Sequence, residues 1–160
     1  MNLYWLELGH SRLAIVGRPR GDDWLEDDVR SLKEIGVDIL VSALTASEWE
    51  DLGLMKEESA CRSCGIEFVS FPIEDRSVPA SVHEFGKLID RLHALLAADK
   101  HLAVHCRAGI GRSSLIAAAL LIENGFSVEA AFAAVERARG VQVPDTDEQR
   151  RWIEDWSKSK

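Results

Sequence analysis

A chain of 160 residues, 46% of them hydrophobic, carries 19 lysines and arginines against 27 aspartates and glutamates, a net charge of −8. That balance disfavours nucleic acid, whose counterion-release binding wants a basic face, and disfavours resting on an anionic membrane. No apolar run reaches the roughly 20 residues of a membrane-spanning helix, and the N-terminus "MNLYWLELGH" has neither a basic segment nor a small-residue cleavage site. Three cysteines are an odd number, and the lone C-x-x-C of Cys61 and Cys64 leaves zinc short of ligands. Reduced thiols in a cytoplasmic protein, with no metal and no cofactor, are expected.

In chain order, "LYWLEL" and "RLAIVG" predict two short strands turning through "GHS". Apolar and charged residues then alternate at helical spacing from Trp24 to Ile35, with Gly36 as the stop. "VDILVSAL" is a continuous apolar run, as in a strand buried on both faces. "TASEWEDLG" and "LMKEESACRSCG" predict a short helix and a longer one ending at Gly65. "IEFVSFPI" reads as another buried-type strand, cut off at Pro72, and "EDRSVP" as a loop. The spacing of Val82, Phe85, Leu88, Ile89, Leu92, Leu95 and Leu96 predicts a long amphipathic helix from Ser81 to about Ala98. "LAVHC" is a strand, Arg112 to Asn124 a nearly all-apolar buried helix, and Ser127 to Arg139 a helix capped by Ser127. Thr146 to Lys158 is a last helix, with Trp152 and Trp156 on its docked face. Strands alternating with helices predict an α/β fold: a central, largely parallel sheet of about five strands flanked by helices on both faces. No linker or repeat divides residues 1–160, so one domain is expected.

The stretch "HCRAGIGRSS" lies beyond the carboxyl end of a predicted strand, where open parallel sheets bind ligands. Gly109 and Gly111 permit positive φ, letting successive backbone N–H groups turn inward as an anion nest. The helix starting near Arg112 aims its positive end at the same point. Arg112 offers a planar fork of donors to two phosphate oxygens. Cys106 stands where this positive potential converges, which favours the thiolate and places a nucleophile for in-line attack on phosphorus. Ser113 can donate its hydroxyl to the departing sulfur. His105 reads either as orienting the loop through a ring N–H or as a packed strand-end histidine. A Walker-type nucleotide loop is excluded because no lysine stands in the required G-K-[ST] position.

"VHCRAGIGRS" resembles the C-x5-R signature of the cysteine-dependent protein tyrosine phosphatases. The short length and "FPIEDRSVP" resemble the compact dual-specificity branch. The resemblance implies the phosphatase-like α/β fold, Cys106 as nucleophile and Arg112 as phosphate-binding arginine. It implies that Arg107, Ala108, Gly109, Ile110, Gly111 and Arg112 bind the substrate. It also places the general acid at Asp75, with Glu74 the competing candidate by position. The implied reaction is phosphomonoester hydrolysis through a phosphocysteine, without metal, on a phosphorylated protein or a small phosphomonoester. With Tyr4 the chain's one tyrosine and no long recognition loop, a shallow site admitting phosphoserine and phosphothreonine as well as phosphotyrosine is expected. Signature positions Ala108 and Ile110 weaken an inositol or lipid phosphate reading without removing it.

Arg18, Arg20 and Arg76, with Arg107, read either as a basic rim or as scattered surface arginines. Asp145 and Gln149 in "VPDTDEQ" read as water-positioning side chains or as parts of a helix cap. Cys61 and Cys64 read as buried helix residues or as a redox partner of Cys106. The five histidines show no metal-ligand spacing. The alternatives to a phosphatase are a module that binds phosphorylated partners without turnover and, with a resolving thiol, an arsenate reductase.

Overall fold

In a computed structural model describing residues 1–160, β1 (Leu3–Leu8) and β2 (Ser11–Val16) form an antiparallel hairpin that turns at Gly9. β2 runs parallel to β5 (Leu102–His105), β5 to β3 (Ile39–Ser42), and β3 to β4 (Glu67–Ser70). The sheet order is β1-β2-β5-β3-β4. The α/β fold with a largely parallel five-stranded sheet is therefore as the sequence predicts.

Alternation along the central strands sends successive side chains to opposite faces. Leu13, Ile15, Ile39, Val41, Leu102 and Val104 join a core of 29 buried residues. That core is closed by α4 (Val82–Ala97), α5 (Arg112–Glu123), α6 (Val128–Arg139) and α7 (Asp147–Lys158). Ala14, Val16, Leu40 and Ala103 join the second core, of 13 buried residues, under α1 (Leu25–Ile35) and α3 (Glu57–Cys64). Gly36 and Gly65 stop α1 and α3 at φ +108 and +77, left-handed positions that glycine takes at no Cβ cost. α5 is buried continuously from Arg112 to Leu121, which explains its lack of an amphipathic pattern. α7 docks through the predicted tryptophans: Phe85 of α4 meets Trp152 at 4.9 Å and Trp156 at 5.4 Å, both edge to face.

One expectation is corrected. β4 is an edge strand, not one buried on both faces: Glu67 and Ser70 are exposed and only Val69 is fully buried. The apolar run suggesting a buried strand comes from Ile66 and Ile73, which anchor the segment from outside the strand. Pro72 falls between the Phe71 and Ile73 amides, which donate to Ser42 and Ala43, so its missing N–H costs no ladder bond.

The site follows from the register. Ser42 pairs with both His105 and Ser70, so β3, β4 and β5 end at one edge. Three segments leave that edge: residues 43–45 into the short helix α2 (Ala46–Asp51), residues 71–81 into α4, and residues 106–111 into α5. No helix is long and apolar enough to cross a membrane.

Candidate active site

Cys106 follows the last residue of β5 and is 3% exposed. The Gly109 N–H donates to its Sγ at 3.3 Å, and Ser113 Oγ lies 3.3 Å from the same sulfur. Gly109 adopts φ +72, as expected of a glycine in the nest. Gly111 does not: its φ is −87, open to any residue. Its requirement is space, because a Cβ there would stand 2.5 Å from Asp145 Oδ2 and 3.0 Å from Gln149 Nε2. The left-handed reading of Gly111 is thus replaced by close approach of the segment leading into α7.

Helices α2, α4, α6 and α7 each begin at a capping hydroxyl, from Thr45, Ser81, Ser127 and Thr146. α5 begins at Gly111 with no side-chain cap. Its first N–H groups therefore remain available to an anion above Cys106, together with the loop amides.

Arg112 is the largest fully buried side chain of the protein. It grips Glu48 of α2 at two points, Nη1 to Oε1 at 2.6 Å and Nη2 to Oε2 at 3.0 Å. Nη1 also donates to the Ile73 carbonyl at 2.8 Å, and Nη2 to Asp75 Oδ1 at 3.2 Å. Burial works against both charges, yet the hydrogen bonds win. Glu48, penalised by burial but bonded by Arg112 and by Thr45, is held down to about 2. Arg112, likewise opposed by burial, is raised above its ordinary value by Glu48, Cys106 and Asp75. Of the two acids in the 71–81 segment, Asp75 is the one that reaches Arg112, while the Glu74 side chain is exposed and makes no hydrogen bond.

Behind the loop, His105 and Glu57 are 0% and 1% exposed. His105 Nδ1 lies 3.2 Å from the Cys106 carbonyl and Nε2 hydrogen-bonds Glu57 Oε1. A carbonyl only accepts, so the ring N–H that meets it is on Nδ1. His105 is thus a packed strand-end histidine whose ring also meets the loop at the Cys106 carbonyl. The outward carbonyls of the loop are held by arginines: Arg139 donates to Gly109 at 2.8 Å and Ala108 at 3.2 Å, and Arg18 to Arg107 at 3.2 Å. Gln149 is fully buried; its Nε2 donates to Ser77 O at 2.8 Å, while Thr146 and Gln149 form a capping box. The cap and the contact with the site are both real.

The structure gathers Cys106, Arg112, Asp75, Ser113 and the 107–111 backbone at one place. Arg107 reaches within 3.6 Å of Glu48. Arg20 instead turns to Asp28, at 2.8 Å, and stacks on Trp24. Arg76 is exposed at φ +60. Cys61 belongs to the core on the other face of the sheet from Cys106. Burial first, then the charge of Glu57, pushes its thiol up to about 12, so it is no ready redox partner. Three residues of the site carried no functional signal in the sequence: Glu48, Glu57 and Arg139. Glu48 belongs to the capping box "TASE", which fully accounts for it locally.

A family model described as "Dual specificity phosphatase, catalytic domain" matches residues 28–159. A tyrosine phosphatase, 197R, of Invertebrate iridescent virus 6 is 31% identical over 99 residues, 60% of this chain and 35% of that protein. A protein of Arabidopsis thaliana named phosphatidylinositol 3,4,5-trisphosphate 3-phosphatase and protein-tyrosine-phosphatase PTEN1 is 36% identical over 94 residues, 54% of this chain and 22% of that one. The chain thus matches only about a third and about a fifth of the lengths of these two relatives. Among solved structures, kinase-associated phosphatase with its catalytic-site cysteine changed to serine superposes with a TM-score of 0.88, at 22% identity over 99% of this chain and 94% of that one. At that identity the likeness is one of fold.

Proposed function

Because the chain belongs to the dual-specificity branch of the cysteine-dependent protein tyrosine phosphatases, we propose that residues 1–160 form one catalytic domain that hydrolyses phosphomonoesters on proteins, phosphotyrosine as well as phosphoserine and phosphothreonine. The observation that carries this reading is the convergence on Cys106 Sγ of the Gly109 amide and the Ser113 hydroxyl, at the start of an uncapped helix beside buried Arg112.

In the proposed reaction the phosphoryl group rests on the backbone amides of Arg107 to Gly111 and on Arg112. It displaces Asp75 from Arg112 Nη2, freeing that carboxyl to face the ester oxygen. The Cys106 thiolate attacks phosphorus in line, the ester P–O bond breaks, and protonated Asp75 gives its proton to the leaving oxygen. A water then attacks the phosphocysteine. Asp75 takes the water's proton, the P–S bond breaks, and Ser113 steadies the thiolate as phosphate departs. Glu48 holds Arg112 in place, and His105 with Glu57 holds the Cys106 carbonyl. The scheme uses no metal and no cofactor, and it suits a cytoplasmic protein without a nucleic-acid partner.

Two alternatives fare less well. An arsenate reductase needs a resolving thiol, and the sheet separates Cys61 from Cys106. A non-catalytic binding module has no use for an acid at Asp75. An inositol-lipid phosphate as substrate is favoured by the name of the plant relative. The deciding experiment is hydrolysis of a small aryl phosphate in the presence of a chelator. Metal-independent turnover that Cys106→Ser abolishes is expected, and no turnover by folded wild type would favour the binding module.

A further inference from the structure

The segment 71–81, which carries Asp75, is tied down unevenly. Its first residues continue the sheet: the Phe71 N–H donates to the Ser42 carbonyl at 2.9 Å and the Ile73 N–H to Ala43 at 3.0 Å. The Ile73 carbonyl accepts from Arg112. Its last residue, Ser81, caps α4. Between these ends residues 74–77 form a tight turn, closed by the Ser77 N–H on the Glu74 carbonyl at 3.0 Å. Arg76 takes the third position of that turn at φ +60, a left-handed conformation that strains a residue with a Cβ.

Residues 74–80 meet the rest of the protein through two hydrogen bonds. One is Arg112 Nη2 on Asp75 Oδ1, at 3.2 Å. The other comes from Gln149 of α7, whose Nε2 donates to the Ser77 carbonyl at 2.8 Å. The first is given up in the proposed reaction, because the phosphoryl group takes Arg112 and Asp75 turns to the ester oxygen. The Gln149 bond is then the one that keeps the turn, and Asp75 with it, over the phosphate loop.

Gln149 is fully buried, and the helix cap does not account for all of it. The capping box uses its backbone N–H and its Oε1, which accepts from the Thr146 N–H at 3.2 Å. A glutamate closes the same kind of box, as Glu48 does on α2. Nε2 is left over, and the Ser77 carbonyl needs a donor, which an ionised glutamate lacks. The carboxamide also lies against the phosphate loop, since a Cβ on Gly111 would stand 3.0 Å from Nε2. Gln149, Trp152 and Trp156 share one face of α7 at i, i+3 and i+7, and the two tryptophans meet Phe85 of α4. One helix face thus grips both the acid turn and the helix that follows it.

We propose that Gln149 is a positioning residue for the proton-donating step, the pivot that keeps Asp75 in reach of the leaving oxygen once substrate has taken Arg112. The inference rests on the phosphatase reading above. It assigns Gln149 to the first half of the reaction, in which the ester P–O bond breaks and the Asp75 proton passes to the ester oxygen. It does not assign Gln149 to the attack of water on the phosphocysteine. The poorer the leaving group, the more the first step needs that proton. Phosphoserine and phosphothreonine, which release alkoxides, therefore depend on Gln149 more than phosphotyrosine, which releases a phenoxide.

The test compares phenyl phosphate with para-nitrophenyl phosphate, which differ in the acidity of the leaving phenol, on wild type, Gln149→Met, Asp75→Asn and the double variant. Methionine fills the glutamine's space without a donor. Gln149→Met is expected to lower kcat/KM for phenyl phosphate by about ten- to a hundredfold, the reach of a small misplacement of a reacting group, with para-nitrophenyl phosphate nearly unchanged. In the double variant Gln149→Met should add no further loss to that of Asp75→Asn. Should Gln149→Met not fold, Gln149→Asn draws the amide back by one methylene in the same buried place and should show the same dependence on the leaving group. Thr146→Ala separates the cap from the pivot, because it weakens the start of α7 and leaves the Ser77 bond in place. It should lower the urea midpoint and keep the ratio of the two substrates at the wild-type value. Equal losses on both substrates, losses that add to those of Asp75→Asn, or a loss in kcat alone with kcat/KM intact, as a water-positioning role would give, would overturn the proposal. Para-nitrophenyl phosphate turnover that persists in Cys106→Ser would instead overturn the phosphatase reading beneath it.

Discussion

Arg112 on α5 and Glu48 on α2 form a two-point ion pair, 2.6 and 3.0 Å long, with both residues more than nine-tenths buried. It fixes Arg112 from outside the 106–111 loop. Glu48 is held from 4.5 down to about 2, so its share of stability is complete above about pH 4.5 and is lost as pH falls toward 2. A shift of that size corresponds to at most about 3 kcal/mol. Urea unfolding of wild type should show a steep loss of stability across that acid window, and Glu48→Gln should be less stable near neutrality with a flatter acid slope. Identical acid slopes would mean that the pair does not govern acid stability.

Asp75 touches Arg112 while its side chain stays 55% exposed, a position from which it can turn toward a leaving group. Asp75→Asn should lower kcat about 10²- to 10⁴-fold for alkyl phosphates, the usual worth of a general acid. Aryl phosphates with acidic leaving groups should lose far less. An equal loss on both classes would remove Asp75 from the acid role.

The two signature glycines should fail differently. Gly109→Ala places an L-residue at φ +72, costing about 1–2 kcal/mol, and nothing nearby can relieve that. Gly111→Ala meets no backbone strain but collides with Asp145. Because Gln149 Nε2 also stands 3.0 Å from that Cβ, adding Asp145→Ala should recover part of kcat/KM in Gly111→Ala and none in Gly109→Ala. A double-mutant cycle reads the coupling, and additive losses at Gly111 and Asp145 would contradict the close-approach account.

Glu57 keeps a buried imidazole hydrogen-bonded, although its own Oε2 has no partner. Glu57→Ala should destabilise by about 1–3 kcal/mol, through the unpartnered His105, and lower kcat with KM little changed. Glu57→Gln should recover most of both losses. If Glu57→Ala unfolds at the wild-type urea midpoint with wild-type kcat, the pair has no role in holding the loop.

What was legible in the sequence is what is local. The run from Cys106 to Arg112 is contiguous, so its chemistry could be recognised without the fold, and the helices announced themselves through spacing and stop glycines. Glu48 lies 64 residues from Arg112 and Glu57 48 from His105, so only the parallel register of β3 and β5 reveals those pairs. A correct local explanation, the cap at Thr45, also concealed the distant role of Glu48. Gly111 misled because glycine answers two different needs, unusual φ and absent bulk, and sequence does not say which. β4 misled because flanking isoleucines gave an edge strand the look of a buried one.

In the proposed reaction, phosphate passes through the sulfur of Cys106. Acid-quenching the enzyme during turnover of an aryl phosphate and sequencing its peptides by mass spectrometry tests this directly. A single phosphoryl group on the peptide containing Cys106, absent from Cys106→Ser, is the predicted result. Steady turnover with no phosphoryl group on that peptide, or turnover surviving in Cys106→Ser, would contradict it.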